Sequence, residues 1–376
     1  MKQLEINDSV IGFIGLGLIG GSIARRLKQV RSDLTIMAYM RTRSKLKQAK
    51  ADGVVDVILD GIGEDLSRCD LIFLCTPVEY NAQYLRAIRP FLKPGALITD
   101  VGSTKTNIHQ EILSQGLSAS FTGGHPMAGS EKTGYENSSA HLLENAYYII
   151  TPAENCSPDL PFEKQPENVR RIVAVAQALG AIPMILDYRE HDQVVAAISH
   201  LPHLIASSLV NLVRDCDSTG VMKQVAAGGF KDITRIASSS PEMWEQICMT
   251  NTGPIAQMLR RYIDSLTRIL GEIEAADGSA IYRLFNDSRS YRDSMTDRVK
   301  GSIEPSYSFS VDVVDEIGAI STISVILAAK GISIKNIGIN NNREQGEGAL
   351  KIAFYDKASM EAAWERLEHY KYELHR

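Results

Sequence analysis

The chain has 376 residues, of which 44% are hydrophobic, and a formal net charge of -5 at pH 7. This length is too great for one ordinary core and predicts two or three domains. The slight negative charge gives no reason to expect a nucleic-acid partner, and no apolar run approaches the ~20 residues that cross a bilayer. The polar N-terminus lacks a signal-peptide pattern, so we expect a cytoplasmic location and no membrane partner.

Five cysteines, an odd number without metal-ligand spacing, predict reduced thiols and not a disulfide framework. His200 and His203 lie three residues apart on a predicted helix, a spacing that suits a metal, but the sequence offers no further ligands around them. We therefore expect no metal site.

Short apolar runs alternate with helical stretches from Val10 to about Leu186, which is the pattern of a doubly wound α/β domain with a mostly parallel sheet. We assign residues 1–187 to this dinucleotide-binding Rossmann domain. Its clearest predicted strands are 10–14, 35–39, 71–75, 97–100, 147–150 and 183–186.

The sequence GLGLIGGS, which begins at Gly15, directly follows the first predicted strand and opens a helix. Gly15 permits the tight turn, Gly17 lets a pyrophosphate approach the backbone, and Gly20 lets helix and strand pack closely. This context predicts a dinucleotide site. The residues expected to bind the cofactor are Gly15, Gly17, Leu18, Ile19, Gly20, Arg41, Thr76 and Pro77.

The second predicted strand ends in the sequence YMRTR, residues 39–43, without the acidic residue that holds the ribose hydroxyls in many NAD sites. Met40 stands where that acid is expected. Arg41 and Arg43 could instead grip a 2′-phosphate, or they could belong to a solvated basic loop. NAD is the expected cofactor, and NADP stays open.

Two predicted strand ends carry candidate catalytic side chains. Ser103 lies in the sequence DVGSTK, where its hydroxyl could face the nicotinamide or a substrate oxygen, or could cap the following helix. His125 lies in GGHPMAGSEK, and Pro126 after it stops the strand, so the imidazole should face the crevice at the carboxyl ends of the sheet. An imidazole titrates near neutral pH and can take a hydroxyl proton as hydride leaves.

From residue 188 to 300 the alternation gives way to long helical patterns, the clearest at 203–214 and 254–274. Their wide apolar stripes have little sheet to cover, so we expect an all-α domain that forms a homodimer. Arg235 follows a glycine pair and precedes a serine-rich break, where it could clamp a carboxylate or act as a structural ion-pair partner. The polar segment 286–305 is predicted to be a linker.

Beyond the linker, residues 305–376 predict a strand, a helix, two strands and a helix, with a further strand at 372–375. This order is that of the ferredoxin-like split βαβ arrangement. We therefore expect a third, small α+β domain.

Six motifs occur in the order and spacing of one enzyme family: GLGLIGGS, DVGSTK, GGHPMAGSEKTG, EHD, SHLPH and AAGGFKDITRIASSSPEMW. Together they resemble the prephenate and arogenate dehydrogenases of tyrosine biosynthesis, in the bacterial form with a C-terminal ACT domain. The resemblance covers nearly the whole chain. It implies NAD-dependent oxidative decarboxylation of prephenate to 4-hydroxyphenylpyruvate, with arogenate, which would give tyrosine directly, as the close alternative substrate.

The resemblance also implies residue roles. His125 would accept the proton of the ring 4-hydroxyl, Ser103 would help to orient it, and Arg235 would hold a substrate carboxylate. The same pocket would be lined by His203, Ser130 and Glu131. The ACT module would bind tyrosine as a feedback inhibitor, or would only dimerise. Its effector site would comprise Asp315, Gly318, Ala319 and Asn336.

Glu131 places a carboxylate beside the predicted catalytic loop. It would repel the pyruvyl carboxylate of prephenate, but it could pair with the amino group of arogenate, pair with Lys132 or point to solvent. Prephenate is the favoured substrate. A β-hydroxyacid or imine dehydrogenase would instead need a catalytic lysine on the helical domain, and a catalytically silent amino-acid sensor would not need His125.

Overall fold

The structure is a computed structural model, and it describes residues 8–129, 132–153, 160–295, 307–313, 318–341 and 348–375. By its internal contacts the chain divides into two compact units, Met1–Gly278 and Ser279–Arg376. Ser130, Glu131 and Asp315 lie outside the described residues, so the roles predicted for them stay predictions.

A sheet of five parallel strands forms the centre of the first unit. The strands are β1 (Val10–Ile14), β2 (Thr35–Tyr39), β3 (Val57–Ile58), β4 (Leu71–Leu74) and β5 (Leu97–Asp100). Their order is β3-β2-β1-β4-β5, so the direction of winding reverses between β1 and β4. Ligands of such sheets bind at the carboxyl ends beside that switch point. The four strands predicted in this region are confirmed to within one residue.

Helices cover both faces of this sheet because successive side chains of a strand point to opposite faces. One face, which carries Phe13 and Phe73, packs against α1 (Leu18–Val30), α2 (Arg43–Ala51) and α5 (Glu167–Ala178). The other face, which carries Ile72 and Leu74, packs against α3 (Asn81–Ile88) and α4 (Thr106–Ser114). This arrangement confirms the doubly wound fold.

Three further strands follow in the first unit: β6 (Thr122–Pro126), β7 (Tyr147–Pro152) and β8 (Ile182–Ile185). β6 is antiparallel to β7, and β7 is parallel to β8. A parallel bridge from Ile98 of β5 to Phe121 brings β6 beside the central sheet. Pro126 is the last residue of β6, which confirms that it ends the strand, and His125 lies within the strand.

The helical part of the first unit begins with α6 (Tyr188–Val195), which continues through a π-helical turn (Ala196–His200) into α7 (Leu201–Cys216). By length and composition the run Tyr188–Cys216 could cross a membrane, but it holds His191 and Asp192 fully buried in the protein. The helix predicted at 203–214 is confirmed within α7, and the helix predicted at 254–274 is confirmed within Thr252–Glu274. The remaining helices are α8 (Val221–Val225), α9 (Gly228–Thr234), α10 (Pro241–Thr250) and α11 (Thr252–Glu274).

The structure corrects the first part of the linker predicted at 286–305, whereas residues 296–305 lie outside the described residues. Residues up to Ser294 belong to α12 (Gly278–Ser294), because no glycine or proline interrupts the chain between Gly278 and Gly301. Polar side chains bond within this helix, as when the Ser290 hydroxyl donates to the Asn286 carbonyl at 2.9 Å. The polar composition therefore marks an exposed helix and not a break.

The C-terminal sheet consists of β9 (Tyr307–Val313), β10 (Ile334–Asn341), β11 (Gly348–Phe354) and β12 (Leu374–His375). All neighbours are antiparallel, in the order β10-β11-β9-β12. Helices α13 (Ala319–Ala328) and α14 (Lys357–His369) share a core with this sheet that includes Phe309, Leu327 and Leu367. The predicted ferredoxin-like arrangement is confirmed, and the further strand predicted at 372–375 is observed as the shorter β12.

Candidate active site

A cavity of about 920 Å³ opens at the carboxyl ends of the central strands. Its volume lies within the roughly 300–1,000 Å³ that is common for cofactor and ligand sites. The lining comes from the turn after β1, from the ends of β2, β4, β5 and β6, and from α10. All eight residues predicted to bind the cofactor contribute to it, and so do His125 and Ser103.

The glycine turn after β1 fits a dinucleotide. Gly15 has a φ of +90°, and a Cβ there would lie 2.6 Å from the Cys75 carbonyl oxygen. A Cβ on Gly20 would lie 2.9 Å from the Gly15 carbonyl oxygen, so this position also excludes a side chain. At Gly17 a Cβ would meet no protein atom within 4 Å. The free backbone there and the N-terminus of α1, which begins at Leu18, can receive a pyrophosphate.

The two arginines after β2 have different surroundings. Arg43 forms an ion pair with Asp60, which supports the basic-loop alternative for this residue. The Arg41 guanidinium lies over the Tyr80 ring, 5.5 Å from its centroid, and lines the cavity. The structure therefore offers one arginine, not a pair, on the side of the cavity where a ribose would lie.

His125 is half-buried and forms the first link of a hydrogen-bonded chain. Its Nδ1 lies 2.8 Å from Nε2 of His191, and Nδ1 of His191 lies 2.9 Å from Oδ1 of Asp192. The two Asp192 oxygens accept hydrogen bonds from the backbone amides of Lys105 and Thr106, each at 2.8 Å. Asp192 of α6 thereby satisfies the first amides of α4.

Asp100 connects the two loops that carry Ser103 and His125. Its buried carboxylate forms an ion pair with Lys105 and accepts hydrogen bonds from the amides of Gly102 at 2.9 Å and Gly124 at 3.3 Å. These bonds join the DVGSTK loop to β6. Ser103 does not cap the next helix, because α4 begins at Thr106 with Lys105 as its N-cap residue.

Burial holds the pKa of His125 well below its ordinary value of 6.5, and positive charge on His191, when it is protonated, or on Lys105 acts in the same direction. Burial also lowers the pKa of His191, while its hydrogen bond to Asp192 opposes that effect. Burial raises the pKa of Asp192, but the hydrogen bonds from His191 and Thr106 outweigh it and the net pKa is lowered. At neutral pH the site holds two uncharged imidazoles beside a carboxylate, so His125 can act as a base.

His203 and Arg235, predicted to line the same pocket, are not among the residues that line the cavity. The His203 ring stacks on Trp244 at a centroid distance of 3.8 Å, and its Nδ1–H donates to the Ser199 carbonyl at 2.8 Å. Burial lowers the pKa of His203, the hydrogen bond to the Ser199 carbonyl opposes this, and the charge of Arg235 acts in the same direction as burial. His203 thereby lies beside α10, whose Met243 reaches the cavity.

Sequence reasoning missed His191 and Asp192 as members of this site. The motif EHD counted only toward the family resemblance, and neither residue received a role. The sequence signal was weak, because both residues lie in the polar run 189–193 of the first helical turns, where polar side chains are usually exposed. In the structure both residues are 0% exposed, and buried polar groups of this kind belong to an internal hydrogen-bond network.

Comparison with known proteins identifies the family. The family model for the prephenate dehydrogenase nucleotide-binding domain matches residues 23–177, and the model for the dimerization domain of the same enzymes matches residues 187–287. A prephenate dehydrogenase of Bacillus subtilis (strain 168) is 36% identical over 368 residues, which is 97% of this chain and 96% of that protein. The chain belongs to the prephenate dehydrogenase family.

Solved structures of this family agree with the fold. A crystal structure of prephenate dehydrogenase from A. aeolicus with hydroxyphenyl propionate and NAD+ matches with a TM-score of 0.71 at 26% identity, covering 78% of this chain and 100% of that one. Synechocystis arogenate dehydrogenase matches with a TM-score of 0.66 at 30% identity, covering 76% and 100%. As a prephenate dehydrogenase family member, the chain is an NAD-dependent oxidoreductase with a Rossmann domain followed by a helical dimerisation domain.

Proposed function

We propose that the protein oxidises and decarboxylates prephenate to 4-hydroxyphenylpyruvate, with NAD as the cofactor. The observation that carries this proposal is that one cavity is lined both by the glycine turn of a dinucleotide site and by a neutral, hydrogen-bonded histidine. The relatives named prephenate dehydrogenase support the choice of substrate. The family match favours an enzyme over an amino-acid sensor without activity.

The chemistry requires one base and accurate positioning. NAD, when bound, supplies the hydride acceptor. His125 accepts the proton of the ring hydroxyl as hydride leaves the carbon that bears it, and the O–H electron pair forms a carbonyl. Loss of the ring carboxylate as CO2 then makes the ring aromatic, and the proton returns from the imidazole to the oxygen. Ser103, whose loop is joined to β6 through Asp100, would orient the same hydroxyl.

Arg235 and His203 keep the roles that the resemblance implies as proposals. Arg235 would hold a carboxylate of the substrate, and His203 would lie next to it. α10 connects His203 to the cavity, because Trp244 stacks on His203 while Gln246 and Ile247 of the same helix line the cavity. Arginine suits the task because its planar guanidinium matches a carboxylate with two hydrogen bonds.

A steady-state assay with prephenate or arogenate, each with NAD or NADP, tests the proposed function. Formation of reduced nicotinamide is followed in all combinations. We expect turnover with prephenate and NAD. Faster turnover with arogenate would instead support the alternative that the Synechocystis relative raises. No turnover in any combination would contradict the enzymatic proposal.

The pH dependence of the reaction follows from the surroundings of His125. Its pKa is held well below 6.5, and the base must be uncharged, so kcat/KM should remain high at pH 6.5 and fall only as the pH drops through that lowered pKa. The profile is measured from about pH 5 to pH 8, with NAD binding followed by tryptophan fluorescence at each pH. An acid limb centred above pH 6.5 would contradict the assignment.

We also propose that the protein forms a homodimer through α11. Within the described residues, its exposed apolar side chains recur at helical spacing along one stripe: Leu259, Ile263, Leu266, Leu270 and Ile273. A contiguous exposed apolar stripe marks a protein–protein interaction surface. The match to a dimerization domain supports this proposal.

Ile263→Glu should convert the dimer into a monomer, because it places a charge within the apolar stripe. Light scattering after size-exclusion chromatography should show the mass falling to that of one 41.4 kDa chain. Gln257→Glu, an exposed change on the other side of the same helix, should leave the mass unchanged. Equal behaviour of the two variants would exclude this face as the interface.

We propose that the C-terminal domain binds tyrosine and mediates feedback inhibition. Gly318 precedes α13 with a φ of +95°, Ala319 is the first residue of that helix, and Asn336 lies on β10. Backbone amides at a helix N-terminus can bind the carboxylate of an amino acid. Asn336→Ala should therefore weaken tyrosine inhibition at least about tenfold while turnover without tyrosine is unchanged. Unchanged inhibition in this variant would favour a domain that only dimerises.

A further inference from the structure

The chain from His125 through His191 to Asp192 has one consistent arrangement of protons. A carboxylate can only accept, so Nδ1 of His191 must carry the proton that it donates to Asp192 across 2.9 Å. In a neutral His191 the lone pair is then on Nε2, which faces Nδ1 of His125 at 2.8 Å. Nδ1 of His125 must be the donor across this contact, because two lone pairs would repel each other.

This order of donors leaves the lone pair of His125 on Nε2, the nitrogen that makes no hydrogen bond to the described residues. His125 lines the cavity, so this lone pair is available to a hydroxyl group there. The opposite tautomer would place an N–H toward the hydroxyl and could not accept its proton. The tautomer of His125 is thus determined by Asp192, which acts through His191 and does not itself contact the reacting atoms.

Asp192 is itself held in place. Its oxygens accept from the amides of Lys105 and Thr106 at the start of α4, and its backbone carbonyl accepts from the side-chain amide of Asn251 at 2.9 Å. Asp192 and His191 are both fully buried, so water does not compete for their hydrogen bonds. Asp192 therefore has little freedom to turn away from His191.

We propose that His191 and Asp192 are positioning residues that fix the tautomer of His125 and stabilise the positive charge which develops on it during proton transfer. The inference rests on the proposed function. When the O–H bond of the substrate breaks and an N–H bond forms at His125 Nε2, the resulting imidazolium donates to His191, which donates in turn to the Asp192 carboxylate. The role resembles that of the aspartate in a Ser-His-Asp triad, with one additional imidazole between carboxylate and base.

Two substitutions of His191 separate this role from simple packing. His191→Phe keeps a ring of similar shape and removes both nitrogens, so kcat should fall about 10²-fold while the KM and Kd for NAD stay within about twofold. His191→Gln can present its amide oxygen to the His125 Nδ1–H, so it should recover part of the lost kcat. His109→Gln is the control for the effect of replacing a buried histidine as such. His109 is also buried, but it forms its hydrogen bond to Thr151 and not to His125.

A spectroscopic measurement reports the tautomer in the unmodified protein directly. In ¹⁵N-histidine NMR spectra, with His125 assigned by its loss in His125→Asn, the proposal expects Nδ1 protonated and Nε2 bare. In His191→Phe the two tautomers should mix. A proton on Nε2 of His125 in the unmodified protein, or a kcat of His191→Phe within twofold of it, would overturn the proposal. If the expected tautomer is found but prephenate is not turned over, the proposed function fails and the tautomer assignment stands.

Discussion

Replacement of His125 by asparagine should reduce kcat by roughly 10³-fold, within the 10²–10⁴ that general acid–base catalysis contributes. Asparagine occupies less volume than the imidazole and can still form hydrogen bonds, but it cannot take the proton of the ring hydroxyl. The backbone of β6 should keep its position, because it is held by its pairing with β7 and by the Gly124 amide, which donates to Asp100. The loss should therefore fall on turnover and not on folding.

The measurement is a steady-state assay with prephenate and NAD, together with the Kd for NAD from fluorescence titration. NAD affinity should stay within about threefold, since the imidazole is one of many residues that line the cavity. His141→Asn is a matched control, because His141 is exposed and pairs only with Glu144 within the described residues. A kcat above one tenth of the original value in His125→Asn would show that another group is the base.

Substitution of Gly17 by alanine should raise the KM and Kd for NAD at least about tenfold, which corresponds to about 1.4 kcal/mol. A Cβ at this position meets no protein atom within 4 Å, so the folded protein accommodates the methyl group. The methyl group projects instead into the space where a pyrophosphate would approach the amides at the start of α1. The thermal midpoint of unfolding should change little.

Alanine substitutions at two other glycines are the controls for Gly17→Ala. Gly253→Ala, in the exposed first turn of α11, also meets no atom within 4 Å and should leave both stability and NAD affinity unchanged. Gly15→Ala should destabilise the protein, because the position has a φ of +90° and its Cβ would collide with the Cys75 carbonyl. Unaltered NAD affinity in Gly17→Ala would mean that the cofactor does not approach this turn.

Local sequence was sufficient for much of the fold. The strands of the central sheet are short apolar runs, and a buried parallel strand has that composition regardless of its neighbours. The glycines of the GLGLIGGS turn are needed for reasons that lie within a few residues of sequence, namely a positive φ and a close helix-strand contact. Composition misled where a polar run, 286–294, forms an exposed helix, because polarity indicates exposure and does not by itself break a helix.

Sequence by itself determined the doubly wound domain, the cofactor turn, the split βαβ domain and the identity of His125 and Ser103 as candidates, since each depends on a pattern within one segment. Only the tertiary structure decided which groups surround His125. His191 and Asp192 are more than sixty residues away in the chain, and Asp100 reaches both the Ser103 loop and β6. Hydrogen bonds depend on distances below about 3.5 Å between particular atoms, and such distances are set by packing of whole elements and not by residue spacing.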